Sequence, residues 1–150
     1  MRPIRTFDEF IKLGVAKRQS TDISRAKFLV GESEQNRGAL LDLLKKVHIN
    51  DKNANSIIKL AYDIIMGLVR AKMLLDGYHA TGQGAHEAEV SYFRLLGLKE
   101  ADVQFADQLR YFRNGMLYYG TIMDKEYARK VLNFLNDKYP LLKEMTKTKR

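Results

Sequence analysis

Apolar residues recur along this chain at steps of three and four, the signature of amphipathic helices. The longest seam is Ile57, Ala61, Ile64, Leu68, Ala71 and Leu75. Ile58, Ile65 and Val69 widen it, which predicts a central helix from about Asn55 to Gly77-Tyr78. Thr6 followed by Glu9 forms a capping box for a short helix over about 7–17. Thr21 or Asp22 caps a segment over about 23–47, dense in leucine in its second half and expected to bend near Gly31 or Gly38. Residues 79–84 read as a loop, and a shorter helix spans about 85–96. A further helix starts near Glu100. Phe105, Leu109, Phe112, Met116 and Tyr119 mark its core seam, and Gly120 or Met123 closes it. Asp124 caps a last helix with Tyr127, Val131, Phe134, Leu141 and Met145 on one side and a kink expected at Pro140. No period-two alternation, hairpin dipeptide between strand-like runs, or internal repeat is visible. The pattern predicts an all-α fold, an antiparallel up-and-down bundle of about five helices.

The 150 residues amount to about one domain, with 1–19 read as an N-terminal extension carrying a short helix and 146–150 as a basic tail. Apolar residues at 45% and charged residues at 29% match an ordinary globular chain. Cysteine is absent, which excludes disulfides and thiolate metal sites and fits a reducing cytosol. Residues 1–12 carry acids and no apolar run, unlike a signal peptide. The apolar stretch 57–75 is interrupted by Lys59, Asp63, Arg70 and Lys72, so it reads as a buried helix and not a membrane span. The expected location is cytoplasmic. The net charge of +8 and pI near 9.6 favour a polyanionic partner.

The chemistry concentrates between Arg110 and Gly120, where two arginines, an asparagine and three tyrosines share one helix. A helix that only builds core has no need of so many hydrogen-bonding groups. At about 100° per residue, and with the Phe105–Phe112–Met116 seam at zero, Arg113 lies at about 80° and Arg110 at about 140°. Asn114, Tyr118 and Tyr111 gather on the far side, at about 180–240°. Aromatic rings there call for a second surface, a partner subunit or a ligand. Gly115 within this run leaves room for another backbone or a nucleotide to approach.

An all-helical chain with Arg113-Asn114 on a late helix and a polar aromatic residue a few positions on resembles the HEPN superfamily. Ala61-Tyr62-Asp63, Gly77-Tyr78 and His86-Glu87-Ala88 are similar as well. The resemblance implies a small helical bundle that acts as a homodimer. It also implies metal-independent ribonuclease chemistry, often in a toxin–antitoxin pair with a nucleotidyltransferase partner. The family signature is an arginine, four to six residues and a histidine. Arg113 matches the arginine, but Tyr118 and Tyr119 stand at the histidine's place, and the last histidine is His86. A phenol is a poor general base at neutral pH but can donate a hydrogen bond or stack on a base. The expectation is therefore RNA or nucleotide binding with altered or lost ribonuclease activity. Arg113 and Tyr118 are the candidate catalytic pair, and Arg110, Arg113, Asn114, Tyr118 and Tyr119 are the binding residues.

Asp63 has two readings: a surface pair with Lys59 one turn away, or a carboxylate that orients Arg113, with Gly67 leaving it room. His86 aligns with Val90 and Phe93 and reads as a packed or capping group, or as support for the site. His79 and His86 show no metal-ligand spacing, and neither metal nor cofactor is expected. Gly82-Gln83-Gly84 lacks the strand and lysine of a phosphate loop. The rival to nucleic-acid binding is a structural or adaptor helical dimer that uses the Arg113 region as an interface.

Overall fold

In a computed structural model of the chain, which describes residues 3–147, the apolar seam forms the central helix α3 (Ala54–Asp76). Ile57, Ile58, Ala61, Ile64, Ile65, Leu68 and Val69 are all buried, so this helix is covered on nearly every side. Five more helices pack around it: α1 (Phe7–Lys12), α2 (Ile23–Lys46), α4 (Ala85–Ser91, continued by a 3-10 turn Tyr92–Arg94), α5 (Glu100–Tyr118) and α6 (Lys125–Met145). The fold is an all-α helical bundle, and the caps fall where expected. Thr6 and Glu9 exchange both bonds of a capping box. Asp22 accepts from the Arg25 backbone N–H, and Asp124 from that of Tyr127. No helix among the described residues is long and apolar enough to cross a membrane.

The structure refines or corrects four expectations. First, α2 runs unbroken for 24 residues through Gly31 and Gly38. It contacts α3 through Ala26, Ser33 and Leu40, spaced by sevens, while Leu41 and Leu43 stay exposed. Second, α6 continues through Pro140, and its buried side is Ala128, Val131, Leu132, Leu135 and Leu142, with Leu141 facing solvent. Third, the 79–84 loop begins as a strand. β1 (Ala16–Arg18) pairs antiparallel with β2 (Tyr78–Ala80), with Lys17 opposite His79. Fourth, Gly67 makes room for α2 and not for Asp63. A Cβ there would lie 2.3 Å from the Ser33 hydroxyl, which is buried and donates to the Ile64 carbonyl at 3.0 Å.

The N-terminal segment packs into the core. Ile4, Phe7 and Phe10 are buried, and the Phe7 ring meets Tyr78 at 5.2 Å and Tyr92 at 4.8 Å edge-on. Arg94 clips the segment down, donating to the Arg5 and Ile4 carbonyls at 2.8 and 3.0 Å and gripping Glu100 through both carboxylate oxygens. The forked bond holds the Glu100 carboxyl down at about 2, below its ordinary 4.5. A lowered folded-state value means stability that is present above the unfolded value and lost as pH falls. Glu100→Gln is expected to flatten the acid limb of a pH–stability curve between pH 4.5 and about 2. An unchanged limb in urea unfolding would contradict the clip. Of the basic tail, Thr146 is buried and Lys147 is exposed; residues 148–150 lie outside the described residues.

Candidate nucleotide-binding site on α5

The core side of α5 is not centred on the Phe105–Phe112–Met116 seam. Phe105 and Phe112 form a flank that meets α6, stacking around Tyr127 and Phe134 at 4.7–6.1 Å. The side turned to α3 and α4 is built from Val103, Ala106, Asp107 and Leu109, all buried. Arg110 and Arg113 lie on this side, one turn on from Ala106 and Leu109. Both arginines therefore reach inward at the rim of the core.

Arg113 Nη2 donates to Asp63 Oδ1 at 3.1 Å, so of the two readings of Asp63 the geometry selects the pair with Arg113. The guanidinium also lies 5.3 Å from the centre of the Tyr62 ring, a cation–π distance. Arg113 Nε and the Tyr62 hydroxyl are buried with no hydrogen-bond partner among the described residues. Burial first, and then the nearby Glu89 carboxylate, pushes the Tyr62 phenol up to about 12, against the pull of Arg70, Arg113 and Arg110. A buried hydroxyl without a partner costs about 1–3 kcal/mol. Tyr62→Phe is thus expected to leave the protein as stable, or more stable by about 1 kcal/mol. A loss of that size in urea unfolding would mean the hydroxyl is bonded.

Arg110 turns the other way. Its Nε donates to Asp107 at 2.8 Å, and its Nη2 lies 3.9 Å from Glu87 on α4. It lines a cleft of about 470 Å³ with Arg5, Glu87, Asp107 and Tyr111. Two arginines and two carboxylates leave this cleft electrically balanced. His86 pairs with Glu89 at 2.9 Å, and Glu89 holds Arg70 Nε at 2.9 Å. Neither residue of that pair bonds Arg113. The buried Glu89 was not foreseen from the sequence.

The polar aromatic residues collect at the far end of α5. Tyr111, Tyr118 and Tyr119 are 62%, 74% and 85% exposed. With Asn114 and Thr121 they line a cleft of about 460 Å³. Tyr111 belongs to the rim of both clefts. Gly115 serves this end in a different way from that expected. A Cβ there would lie 2.5 Å from the Thr121 hydroxyl, so the glycine admits the chain's own returning loop. Tyr119 and Thr121 both donate backbone N–H to the Gly115 carbonyl, at 2.8 and 3.1 Å. Asn55 at the start of α3 then pins the loop, donating to the Thr121 carbonyl at 2.9 Å and accepting from Met123 at 2.8 Å. The tyrosines stand on a braced platform.

Of the residues expected to bind, Asn114, Tyr118 and Tyr119 come together in one cleft. Arg110 faces the adjoining one. Arg113 lines neither and is oriented by Asp63. Tyr111 joins the group as the residue the sequence reading left out of the site. No protein-family model, no curated protein and no solved structure matches the chain.

Proposed function

We propose that this protein is an RNA- or nucleotide-binding protein of the HEPN type, binding unpaired bases at the end of α5. The observation that carries this reading is the set of three exposed tyrosines around the Asn114 cleft. Aromatic faces offer stacking to any base, worth about 1–3 kcal/mol each, and the Asn114 amide supplies a donor and an acceptor to a base edge. Arg110 and Arg113 are each engaged by a carboxylate. Attraction to phosphate therefore rests more on the overall charge of +8 than on a local arginine fork. Altered or lost ribonuclease chemistry fits the absence of a histidine four to six residues after Arg113 in the sequence, and a toxin–antitoxin setting with a nucleotidyltransferase rests on the resemblance alone.

Fluorescence anisotropy with a labelled single-stranded oligouridylate tests the reading. Tyr118→Ala/Tyr119→Ala is expected to weaken binding by about tenfold or more, with stability unchanged because both rings are exposed. Equal affinity in the double variant would overturn the site. For ribonuclease activity, metal-free cleavage of labelled RNA should be lost in Arg113→Ala.

A second reading has its own support. Leu117 and Ile122 are exposed on the same end, at 45% and 81%, and apolar side chains suit a protein interface. They favour a helical homodimer, or an adaptor surface with no nucleic-acid role. Sedimentation of the chain with and without oligouridylate separates the two: a stable dimer that ignores RNA at low salt supports the adaptor.

A further inference from the structure

A second concave site lies away from the end of α5. The start of α2, the end of α3, β2 and α4 enclose a cavity of about 310 Å³. That is the lower end of the range for small-molecule sites. Leu29, Met73 and Leu74 supply apolar wall, while Arg25, Arg70, His79 and Glu89 supply polar groups. Three features set the character of this cavity.

Glu89 is buried, and both its oxygens are occupied: Oε2 accepts from Arg70 Nε, and Oε1 meets His86 Nδ1, each at 2.9 Å. Its charge is matched within the fold, and its grip on Nε leaves the terminal nitrogens of Arg70 without a partner among the described residues. Arg25 is exposed and makes no ion pair among the described residues. His79 Nδ1 is buried and has no hydrogen-bond partner among the described residues. A buried ring nitrogen without a partner is costly, and such groups are usually satisfied by something. The cavity thus gathers two guanidiniums with unused donors against an apolar wall, and the His79 ring in its lining carries one unmatched, buried nitrogen.

The geometry points to this cavity as a binding site for a small organic anion, a phosphomonoester or carboxylate with an apolar body. The charged head takes the Arg25 and Arg70 donors, whose planar forks suit either group, and a turn of the His79 ring brings its buried Nδ1 to donate a third bond. The apolar body lies on Leu29, Met73 and Leu74, which favours an organic anion over a bare inorganic one. The site is independent of the nucleotide reading for α5 and stands if that reading fails.

Phenyl phosphate and benzoate, titrated separately into the isotope-labelled full chain, test this by NMR. The expected result is saturable shifts at Leu29, Met73, Leu74 and the His79 ring for at least one anion. The better ligand identifies the preferred head group. Arg25→Ala removes an exposed, unpaired side chain, so the fold is retained, and the dissociation constant is expected to rise by about tenfold or more. His79→Phe is expected to weaken binding similarly while keeping a ring of similar size. Neutral benzyl alcohol should bind at least about tenfold more weakly than the better anion. Unchanged affinity in Arg25→Ala, equal binding of benzyl alcohol, shifts confined to Tyr118 and Tyr119, or no saturable shift with either anion would each overturn the proposal.

Discussion

Arg70→Met is expected to lower the unfolding free energy by about 3–5 kcal/mol. The reason is an asymmetry of burial. Glu89 is only 7% exposed at its side chain, whereas Arg70 is 32% exposed. Removing the arginine leaves a carboxylate inside the protein with His86 as its one remaining side-chain partner among the described residues. Removing the carboxylate leaves an arginine that can turn to water. Glu89→Leu alone is therefore expected to cost clearly less than Arg70→Met. Arg70→Met/Glu89→Leu is expected to recover most of the loss, because a buried pair can be replaced by apolar groups at little cost. Urea unfolding of the three variants measures this. Equal losses in the two single variants, or simple additivity in the double, would mean that the pair is not a buried ionic unit.

The second large effect lies where α2 crosses α3. In an open helix, Gly→Ala gains about 1 kcal/mol. At Gly67 the new methyl would stand 2.3 Å from the Ser33 hydroxyl oxygen, which is buried and bonded to the Ile64 carbonyl. The hydroxyl must leave its bond or the helices must part, and overpacking of this kind costs about 1–3 kcal/mol. With Ser33→Ala the oxygen is gone, and the Ser33 Cβ lies 3.7 Å from the new methyl, an ordinary contact. Gly67→Ala is thus expected to destabilise the native chain and to be neutral or stabilising in the Ser33→Ala background. That change of sign, read by thermal or urea unfolding, is the test. Stabilisation in both backgrounds would contradict the close crossing.

These two sites also show where the sequence was legible and where it was not. The α3 seam could be read because six apolar positions at unbroken three-and-four spacing, from Ile57 to Leu75, leave one helical interpretation. Thr6, Asp22 and Asp124 could be read because caps act within three residues. Gly67 was misassigned because its partner, Ser33, sits on another helix, and no local pattern reports such a crossing. The β1–β2 pair was missed for a similar reason. Three-residue strands are too short to show alternation, and their pairing joins Ala16 to Ala80.

The orientation of α5 was shifted because its inward side carries Asp107, Arg110 and Arg113, which read as polar surface. The bulkier Phe105 and Phe112 turn instead to Tyr127 on α6. The Asp63–Arg113 pair was reachable as one of two options, because Asp63 interrupts the apolar run of a buried helix. The clustering of Asn114, Tyr118 and Tyr111 was legible from their spacing, whereas Tyr119, which the same spacing puts on the core seam, is 85% exposed because α5 ends at Tyr118. The returning loop at Thr121 that braces them was not legible.

The central claim is that bases of single-stranded RNA stack on the tyrosines at the end of α5. Photocrosslinking of a 4-thiouridine oligonucleotide to the full chain, with the attached residues located by mass spectrometry, tests it most directly. The account predicts crosslinks at Tyr118, Tyr119 and Tyr111, lost in parallel as salt is raised. Crosslinks spread over lysines elsewhere, or none at low salt, would contradict it.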